Sequence, residues 1–165
     1  MRVAIADTSP LRYLVLISAI DILPRLFESI FVPDVVHREL CHPHAPVLVR
    51  RWADAAPAWL TVVPTPPAED ADLRGLDAGE RAAIALATTM RPDFVLIDER
   101  AGVAVARARG LEVTGTLGLL DRAAGRGFVN LPTAFAALKA TNFHTRQELL
   151  DALLARHRTG NPGHA

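Results

Sequence analysis

The sequence has little cysteine, little lysine and no long apolar run. Cys41 is the only cysteine, so no internal disulfide can form, and a cytoplasmic location is expected. No segment reaches the ~20 apolar residues that a membrane span requires, and even the run of residues 13–20 contains Ser18. Asp7 and Pro10 interrupt the apolar stretch that a signal peptide needs, so no signal peptide is expected.

Charge of neither sign is in excess. The 18 basic residues (Lys and Arg) balance the 18 acidic ones (Asp and Glu), and the formal net charge is zero. This balance argues against a strongly basic, non-specific nucleic-acid binder. Lys139 is the only lysine, so the positive charge is almost entirely arginine, whose planar guanidinium suits phosphate. Genome bias also produces an arginine-rich composition, so the excess of arginine over lysine does not by itself indicate phosphate binding.

The length fits one domain with one substantial core. The chain has 165 residues, of which 50% are hydrophobic and 22% charged, as in an ordinary globular protein. The proline-rich, acidic segment 64–73 could be a linker, but strands and helices alternate on both sides of it, so a loop within one domain is predicted. We predict a domain over residues 1–158 and a disordered tail over residues 159–165.

Short apolar segments alternate with helical patterns along the chain. Ser9 is predicted to cap the first helix, with Pro10 in its first turn. The predicted strands are residues 2–6, 30–32, 60–63, 94–97 and 111–113. The predicted helices are residues 11–20, 22–27, 33–40, 46–56, 78–90, 100–109, 116–124, 132–139 and 145–157. This alternation predicts a single α/β domain with a mainly parallel central sheet of about five short strands flanked by helices.

Acidic residues occur where such a fold binds ligands. Asp7 and Asp98 directly follow the first and fourth predicted strands, and parallel sheets bind ligands outside the carboxyl ends of their strands. Glu39 and Glu80 lie beside the apolar positions of two helices. Carboxylates gathered in one cleft repel one another unless a cation is present, and oxygen ligands suit Mg²⁺ or Mn²⁺.

Each acid also has a simpler interpretation. Asp7 could belong to the cap of the first helix, and Asp98 could cap the helix that follows it. Glu39 could be a solvated helix residue. Asp77 and Glu80 have the spacing of a capping box, in which Glu80 is structural and Asp77 could face the metal instead.

Two further patterns are weaker. His37, Cys41, His42 and His44 are close in sequence, but their spacing fits no common zinc site and no second cluster completes one. The segment 115–118 (GTLG) lacks the lysine and the glycine spacing of a phosphate loop, so a tight turn into a helix is predicted.

Four segments in this order resemble those of PIN domains. They are DTSP after the first strand, VPDVVHREL, GLDAGERAAIALA and FVLIDERAGVAVARARGLEVTGTLGLL. The resemblance covers about residues 3–120. Within the family, the segments resemble the branch related to the VapC-like toxins of toxin–antitoxin pairs. It implies a parallel sheet flanked by helices, an acidic pocket that binds Mg²⁺ or Mn²⁺, and hydrolysis of RNA phosphodiester bonds.

The resemblance also implies the site residues. The family's acidic positions fall on Asp7, Glu39, Glu80 and Asp98, which are expected to be the catalytic residues and the metal ligands. Thr8 and Ser9 match the polar residues beside the first acid and are expected to orient Asp7 or nearby water. Two departures concern activity: many toxins have Asp at the position of Glu80, and Ile-Asp-Glu-Arg replaces the usual Thr-x-Asp. Glu99 is therefore the alternative to Asp98.

The predicted function is a divalent-metal-dependent endoribonuclease, the toxin of a type II toxin–antitoxin pair or an orphan relative. One alternative is a catalytically silent PIN-fold module for binding or assembly; another is a metal-dependent phosphatase or DNA nuclease. Expected partners are the RNA substrate and an antitoxin protein, and a homodimer is left open. The antitoxin is expected to lie over the early helices and to reach toward the acidic pocket, because residues 11–20 are apolar and are followed by Ile22, Leu23, Leu26 and Phe27. Core packing of these residues is the alternative.

Overall fold

The central sheet contains five parallel strands in the order β3-β2-β1-β4-β5. A computed structural model describes residues 2–159 of the chain. The strands are β1 (Val3–Ala6), β2 (Ser29–Pro33), β3 (Leu60–Val63), β4 (Phe94–Leu96) and β5 (Val113–Thr114). All four pairings are parallel, with Ala4 opposite Ile30 on one side and Phe94 on the other. The predicted parallel α/β fold is confirmed.

Helices connect the strands and cover both faces of the sheet. Over residues 2–159 they are α1 (Thr8–Leu16), α2 (Leu23–Leu26), α3 (Asp34–Leu40), α4 (Val47–Asp54), α5 (Ala78–Met90), α6 (Arg100–Ala108), α7 (Thr116–Gly125), α8 (Leu131–Lys139) and α9 (Gln147–Thr159). Short 3-10 turns occupy Ile20–Ile22 and Ala71–Leu73. Over the described residues, no helix is long and apolar enough to cross a membrane.

The sheet has a hydrophobic core on each face. Side chains alternate between the two faces along a strand, so Ala4 and Ala6 of β1 pack in one core and Ile5 packs in the other. The larger core joins β1 and β2 to α1, α2, α3, α7 and α8. The smaller core joins β1 and β4 to α5 and α6 and includes Ile84 and Val95. Strands buried on both faces explain the continuous apolar runs in the sequence.

The first helix differs from its prediction at both ends. It begins at Thr8 with Asp7 at the N-cap, so the prediction of Ser9 as the cap was wrong. It ends at Leu16, four residues early, because Ser18 adopts a left-handed conformation with φ of 58°. The N–H of Ala19 then bonds to the carbonyl of Leu14, which closes the helix as a Schellman motif.

The apolar residues of the early helices belong to the core. Leu11, Leu14 and Leu23 are fully buried, and Leu26 and Phe27 are nearly so. The core-packing alternative was therefore correct, and the apolar surface on which the antitoxin was placed does not exist. The order of helices and strands is otherwise as predicted, with small shifts in their bounds.

Two other boundaries moved at the C-terminal end. Helix α7 continues through Gly125, and the left-handed glycine after it is Gly127, with φ of 74°. Strand β5 begins at Val113 rather than residue 111. Of the predicted tail, residues 159–165, Thr159 is the last residue of α9 and the others lie outside the described residues.

Candidate active site

The acids lie at the carboxyl edge of the sheet, where the strand order reverses. From β1 the chain builds the sheet toward β2 and β3, and then returns to place β4 and β5 on the other side of β1. The N–H of Asp7 donates to the carbonyl of Leu96 at 3.0 Å, which joins the ends of β1 and β4. Such a switch point opens a crevice outside the carboxyl ends of the strands, and it is the usual ligand site of an open α/β sheet.

Asp7 is a buried carboxyl group. It is 3% exposed and sits at the N-cap of α1, yet its side chain makes no capping hydrogen bond. Burial raises the pKa of Asp7 to about 8, although the backbone N–H of Thr8 opposes the rise. Three nearby carboxylates raise this pKa further: Asp77, Glu80 and Glu39. Asp7 therefore occupies the N-cap position, as the simpler interpretation has it, but its side chain makes no capping hydrogen bond.

Asp7 and Glu39 converge on the first turn of α5. Helix α3 carries Glu39, and the hydroxyl of Thr8 donates to Glu39 Oε2. A Cβ atom added to Gly79 would lie 2.8 Å from Asp7 Oδ1 and 2.8 Å from Glu39 Oε2. Because both oxygens lie so close to one point, only glycine leaves them room at this position. The tertiary fold thus brings together carboxylates that are 32 residues apart in the sequence.

Glu80 is both a capping residue and a buried acid. Asp77 Oδ1 accepts from the N–H of Glu80 at 2.8 Å, as in a capping box, and the Asp77 backbone lies close enough to the Glu80 carboxyl to lower its pKa. Glu80 is only 5% exposed, whereas Asp77 is exposed. Burial raises the pKa of Glu80 to about 7, with further contributions from Asp77 and Glu99. The buried position favours Glu80 over Asp77 as the acid of the site.

Asp98 holds the start of α7. Its Oδ1 accepts from the N–H of Thr116 at 2.7 Å and its Oδ2 accepts from the Thr116 hydroxyl at 2.8 Å. Burial raises the pKa of Asp98, while bonds from Thr116 and the Ser9 hydroxyl oppose the rise. The alternative that Asp98 caps the next helix was wrong, because Glu99 is the N-cap of α6 and makes no capping bond with its side chain. Glu99 itself is exposed.

Adjacent hydroxyls orient two different acids. Thr8 donates to Glu39, and the Ser9 hydroxyl lies close enough to Asp98 to lower the pKa of that carboxyl. The junction of β1 and α1 therefore organises three of the four acids. The bond from Thr8 goes to Glu39 rather than to Asp7, and the expectation that these hydroxyls orient nearby water stays a prediction.

Two contributors to the site were missed from the sequence. Thr116 binds both oxygens of Asp98, but GTLG was interpreted only as a turn. That turn is present, with Gly115 at the N-cap of α7. Gly79 was not noticed, although a glycine in the first turn of an otherwise Ala-rich helix was a usable signal. Glycine lowers helix stability, so its presence there indicates a close approach by another group.

The donor set suits a hard divalent cation. Every acid near the switch point offers carboxylate oxygens, which Mg²⁺ and Mn²⁺ prefer, and those of Asp7 and Glu39 already converge at Gly79. As the side chains stand, no three His, Cys, Asp or Glu residues in the range 2–159 lie close enough to hold one metal ion. Both oxygens of Asp98 bond to Thr116. His37 is held separately, at 3.0 Å from the carbonyl of Ala53.

A broad cleft of about 790 Å³ opens beside Asp98. The aromatic rings of Tyr13 and Phe143 meet edge to face along it, with centroids 4.9 Å apart. Its charged lining residues are Asp98, Glu99, Arg100, Arg107 and Arg146. The cleft therefore combines cations and aromatic rings with one of the acids of the site.

The topology and the acids define an α/β protein with a buried acidic site at its switch point. A family model described as a PIN domain matches residues 3–159, so the chain belongs to the PIN-domain family. PIN domains are typically nucleases and usually use divalent metals. No curated protein matches the chain. The narrower assignment to the branch of VapC-like toxins remains a prediction.

Proposed function

We propose that this protein is a divalent-metal-dependent endoribonuclease that hydrolyses RNA phosphodiester bonds. The observation that carries the proposal is the convergence of Asp7 and Glu39 on Gly79, beside the buried carboxyl group of Glu80. Burying several carboxylates together is costly unless a cation binds them. These carboxylates are buried at the ligand-binding edge of the sheet in spite of this free-energy cost, and a metal site best explains their position.

Asp7, Glu39, Glu80 and Asp98 are the proposed ligands of Mg²⁺ or Mn²⁺. Hydrogen bonds do not exclude Asp98 from this role, because an ionised carboxylate has about four acceptor positions and Thr116 and Ser9 use only some of them. Thr8, Ser9 and Thr116 orient their carboxylates, as residues behind metal ligands commonly do. Glu99, which is exposed near Asp98 and Glu80, is the alternative fourth acid.

When bound, the divalent cation supplies charge that polarises the scissile phosphate and makes water a better nucleophile. The chain's own acids position the reacting groups and accept a proton. One carboxylate of the site can accept the proton of the attacking water. The cleft beside Asp98 can carry the RNA strand, because arginines bind phosphates and aromatic rings stack on bases.

Cleavage of a panel of structured RNAs tests this function directly. We expect cleavage with Mn²⁺ and none with a chelator. Matched DNA strands and a phosphomonoester substrate, tested in parallel, distinguish a ribonuclease from a DNA nuclease or phosphatase. RNA binding without cleavage under all metal conditions would identify a catalytically silent module instead.

The cation is expected to stabilise the fold, and more strongly at higher pH. Burial raises the folded-state pKa of Asp7 to about 8 and that of Glu80 to about 7, above their unfolded values. The folded protein therefore binds more protons between about pH 4 and pH 8, so metal-free stability falls as pH rises through this window. Millimolar Mn²⁺ should raise the melting temperature more at about pH 8 than at about pH 5, because protons compete with the cation. A melting temperature that Mn²⁺ leaves unchanged at both pH values would contradict a metal site.

Two variants should distinguish the metal ligand from the helix cap among Glu80 and Asp77. Glu80→Gln keeps a hydrogen-bonding side chain but removes the charge, so activity should fall strongly while the metal-free free energy of unfolding near neutral pH stays the same or rises, because burial raises the pKa of Glu80. Asp77→Ala removes the N-cap bond to Glu80 and should cost roughly 1 kcal/mol of stability with most activity kept. Cleavage rates and urea unfolding measure both effects. The reverse pattern would make Asp77 the ligand.

We also propose an antitoxin as the protein partner, which would make this protein the toxin of a type II pair. Val47 and Leu48 of α4 are 50% and 58% exposed, an apolar pair close in sequence to Val49 in the pocket beside Glu39. Such a pair is smaller than the apolar patches that mark protein contacts, so the main support is the family, whose nucleases often pair with antitoxins. Purification after co-expression with its neighbouring genes should recover a complex; recovery of the free protein alone, as monomer or homodimer, would count against this partner.

A further inference from the structure

A second and smaller pocket lies beside Glu39. It has a volume of about 290 Å³, and its polar lining comes from Thr8, Arg12, Glu39, His42 and His44. Thr8 and Glu39 are the hydrogen-bonded pair already described in the acidic site. The pocket therefore adjoins the proposed catalytic acids, but its other polar side chains carry no negative charge.

Arg12 has hydrogen-bonding capacity that the protein does not use. It follows Thr8 by one helical turn, so both side chains lie on the same side of α1. Its Nε is buried, and within residues 2–159 no acceptor bonds to it. The guanidinium lies 5.9 Å from the ring of Tyr13 and has no ion pair over the same range. Buried donors without an acceptor are rare in native proteins, and a ligand is one explanation of them.

His42 adds a second donor. The backbone N–H of His44 donates to His42 Nδ1 at 3.0 Å, so the neutral imidazole carries its proton on Nε2. The two imidazole rings meet edge to face, with centroids 5.1 Å apart. The pocket thus presents a guanidinium and an imidazole N–H next to Glu39. Both groups donate hydrogen bonds to an oxyanion.

We propose that this pocket binds an RNA phosphate next to the scissile one. The inference rests on the proposed function. Carboxylates repel the RNA backbone, so cationic groups beside them must hold the strand at the site. The planar fork of Arg12 matches two phosphate oxygens, and its proximity to Glu39 places that phosphate close to the reacting bond. A carboxylate of a protein partner would use the same fork and is a separate outcome of the test.

Variants of Arg12 test the pocket. Arg12→Gln removes the charge and the fork, while Arg12→Lys keeps the charge alone. Arg51→Gln is the matched control, because Arg51 is exposed on α4 and loses the same charge outside the pocket. With Mn²⁺ and a short single-stranded RNA, Arg12→Gln should raise KM about tenfold, with kcat nearly unchanged. RNA binding in EDTA is measured as a function of salt concentration. For Arg12→Gln, the slope of log binding constant against log salt concentration should be about 0.7 less steep than for wild type, because one phosphate contact is lost.

A modified RNA tests the same contact without changing the protein. Replacing single linkages near the cleaved bond with uncharged methylphosphonates should identify one position that weakens binding to the wild-type protein about tenfold. At that position the modification should have no further effect on Arg12→Gln, because both changes remove the same contact.

Three results would overturn the proposal. Arg12→Gln could match Arg51→Gln in KM and salt slope, or the methylphosphonate effects could simply add to that of Arg12→Gln at every position. Loss of a protein partner in Arg12→Gln with unchanged KM for RNA would assign the pocket to that partner. Failure of the proposed function looks different: the wild-type protein then cleaves no RNA, whereas the binding measurements in EDTA still report on the pocket.

Discussion

Asp7→Asn is expected to abolish RNA cleavage while leaving the protein folded and more stable. The change removes the acid that converges with Glu39 at Gly79, so the loss of rate should be about a thousandfold or more. It also removes the cost of a buried carboxyl group whose pKa is raised to about 8. The gain in stability without metal should be on the order of a few kcal/mol near neutral pH and vanish near pH 4.

Initial cleavage rates with Mn²⁺ and urea unfolding at two pH values measure these effects. Asp21→Asn is the control, because Asp21 is an exposed aspartate in a 3-10 turn away from the acids. Wild-type cleavage by Asp7→Asn would show that the catalytic site lies elsewhere. A loss of stability at neutral pH would show that Asp7 is a structural residue held by its contacts rather than a buried charge that a cation relieves.

Gly79→Ala is expected to remove metal binding and cleavage through a single methyl group. Its Cβ would lie 2.8 Å from an oxygen of Asp7 and from one of Glu39, which forces one or both carboxylates to move. A displacement of about 1 Å can cost about a hundredfold in rate, so at least that loss is expected. The same change should favour the helical backbone of α5 by about 0.5–1 kcal/mol. The variant should therefore fold without metal and lose the stabilisation by Mn²⁺.

Gly75→Ala is the matched control, because a Cβ there meets nothing within 4 Å. Melting curves with and without Mn²⁺, together with cleavage rates, compare the two variants. If Gly79→Ala kept both the stabilisation by Mn²⁺ and the cleavage of wild type, the carboxylates would not converge on α5 as the structure has them. Equal losses in Gly75→Ala would instead indicate a general effect of added methyl groups near this helix.

Local signals predicted most of the fold. Strands β1 and β4 are buried on both faces, and a strand buried on both faces requires a continuous apolar run in the sequence. Helix boundaries were less accurate where backbone conformation decided them. Ser18 ends α1 in a left-handed conformation, and nothing in a serine specifies that state locally.

Partner choice among polar groups was harder to predict than their position. Asp7 and Asp98 follow strands and could be placed at one edge of the sheet from the strand pattern. The bonds that Thr116 donates to Asp98, and the division of Thr8 and Ser9 between Glu39 and Asp98, depend on how α3 and α7 pack against α1. Side chains with several acceptable partners are not distinguished by their spacing in the sequence.

The sequence by itself determined the alternation of strands and helices, the edge at which the acids occur and the resemblance to PIN domains, because these depend on periodicity and order along the chain. Only the tertiary structure decided that Asp7 and Glu39 meet at Gly79, that Glu80 rather than Asp77 is buried, and that Arg12 has an unused donor. These facts arise from packing between segments far apart in the chain, where the shape of one element limits the space left for another.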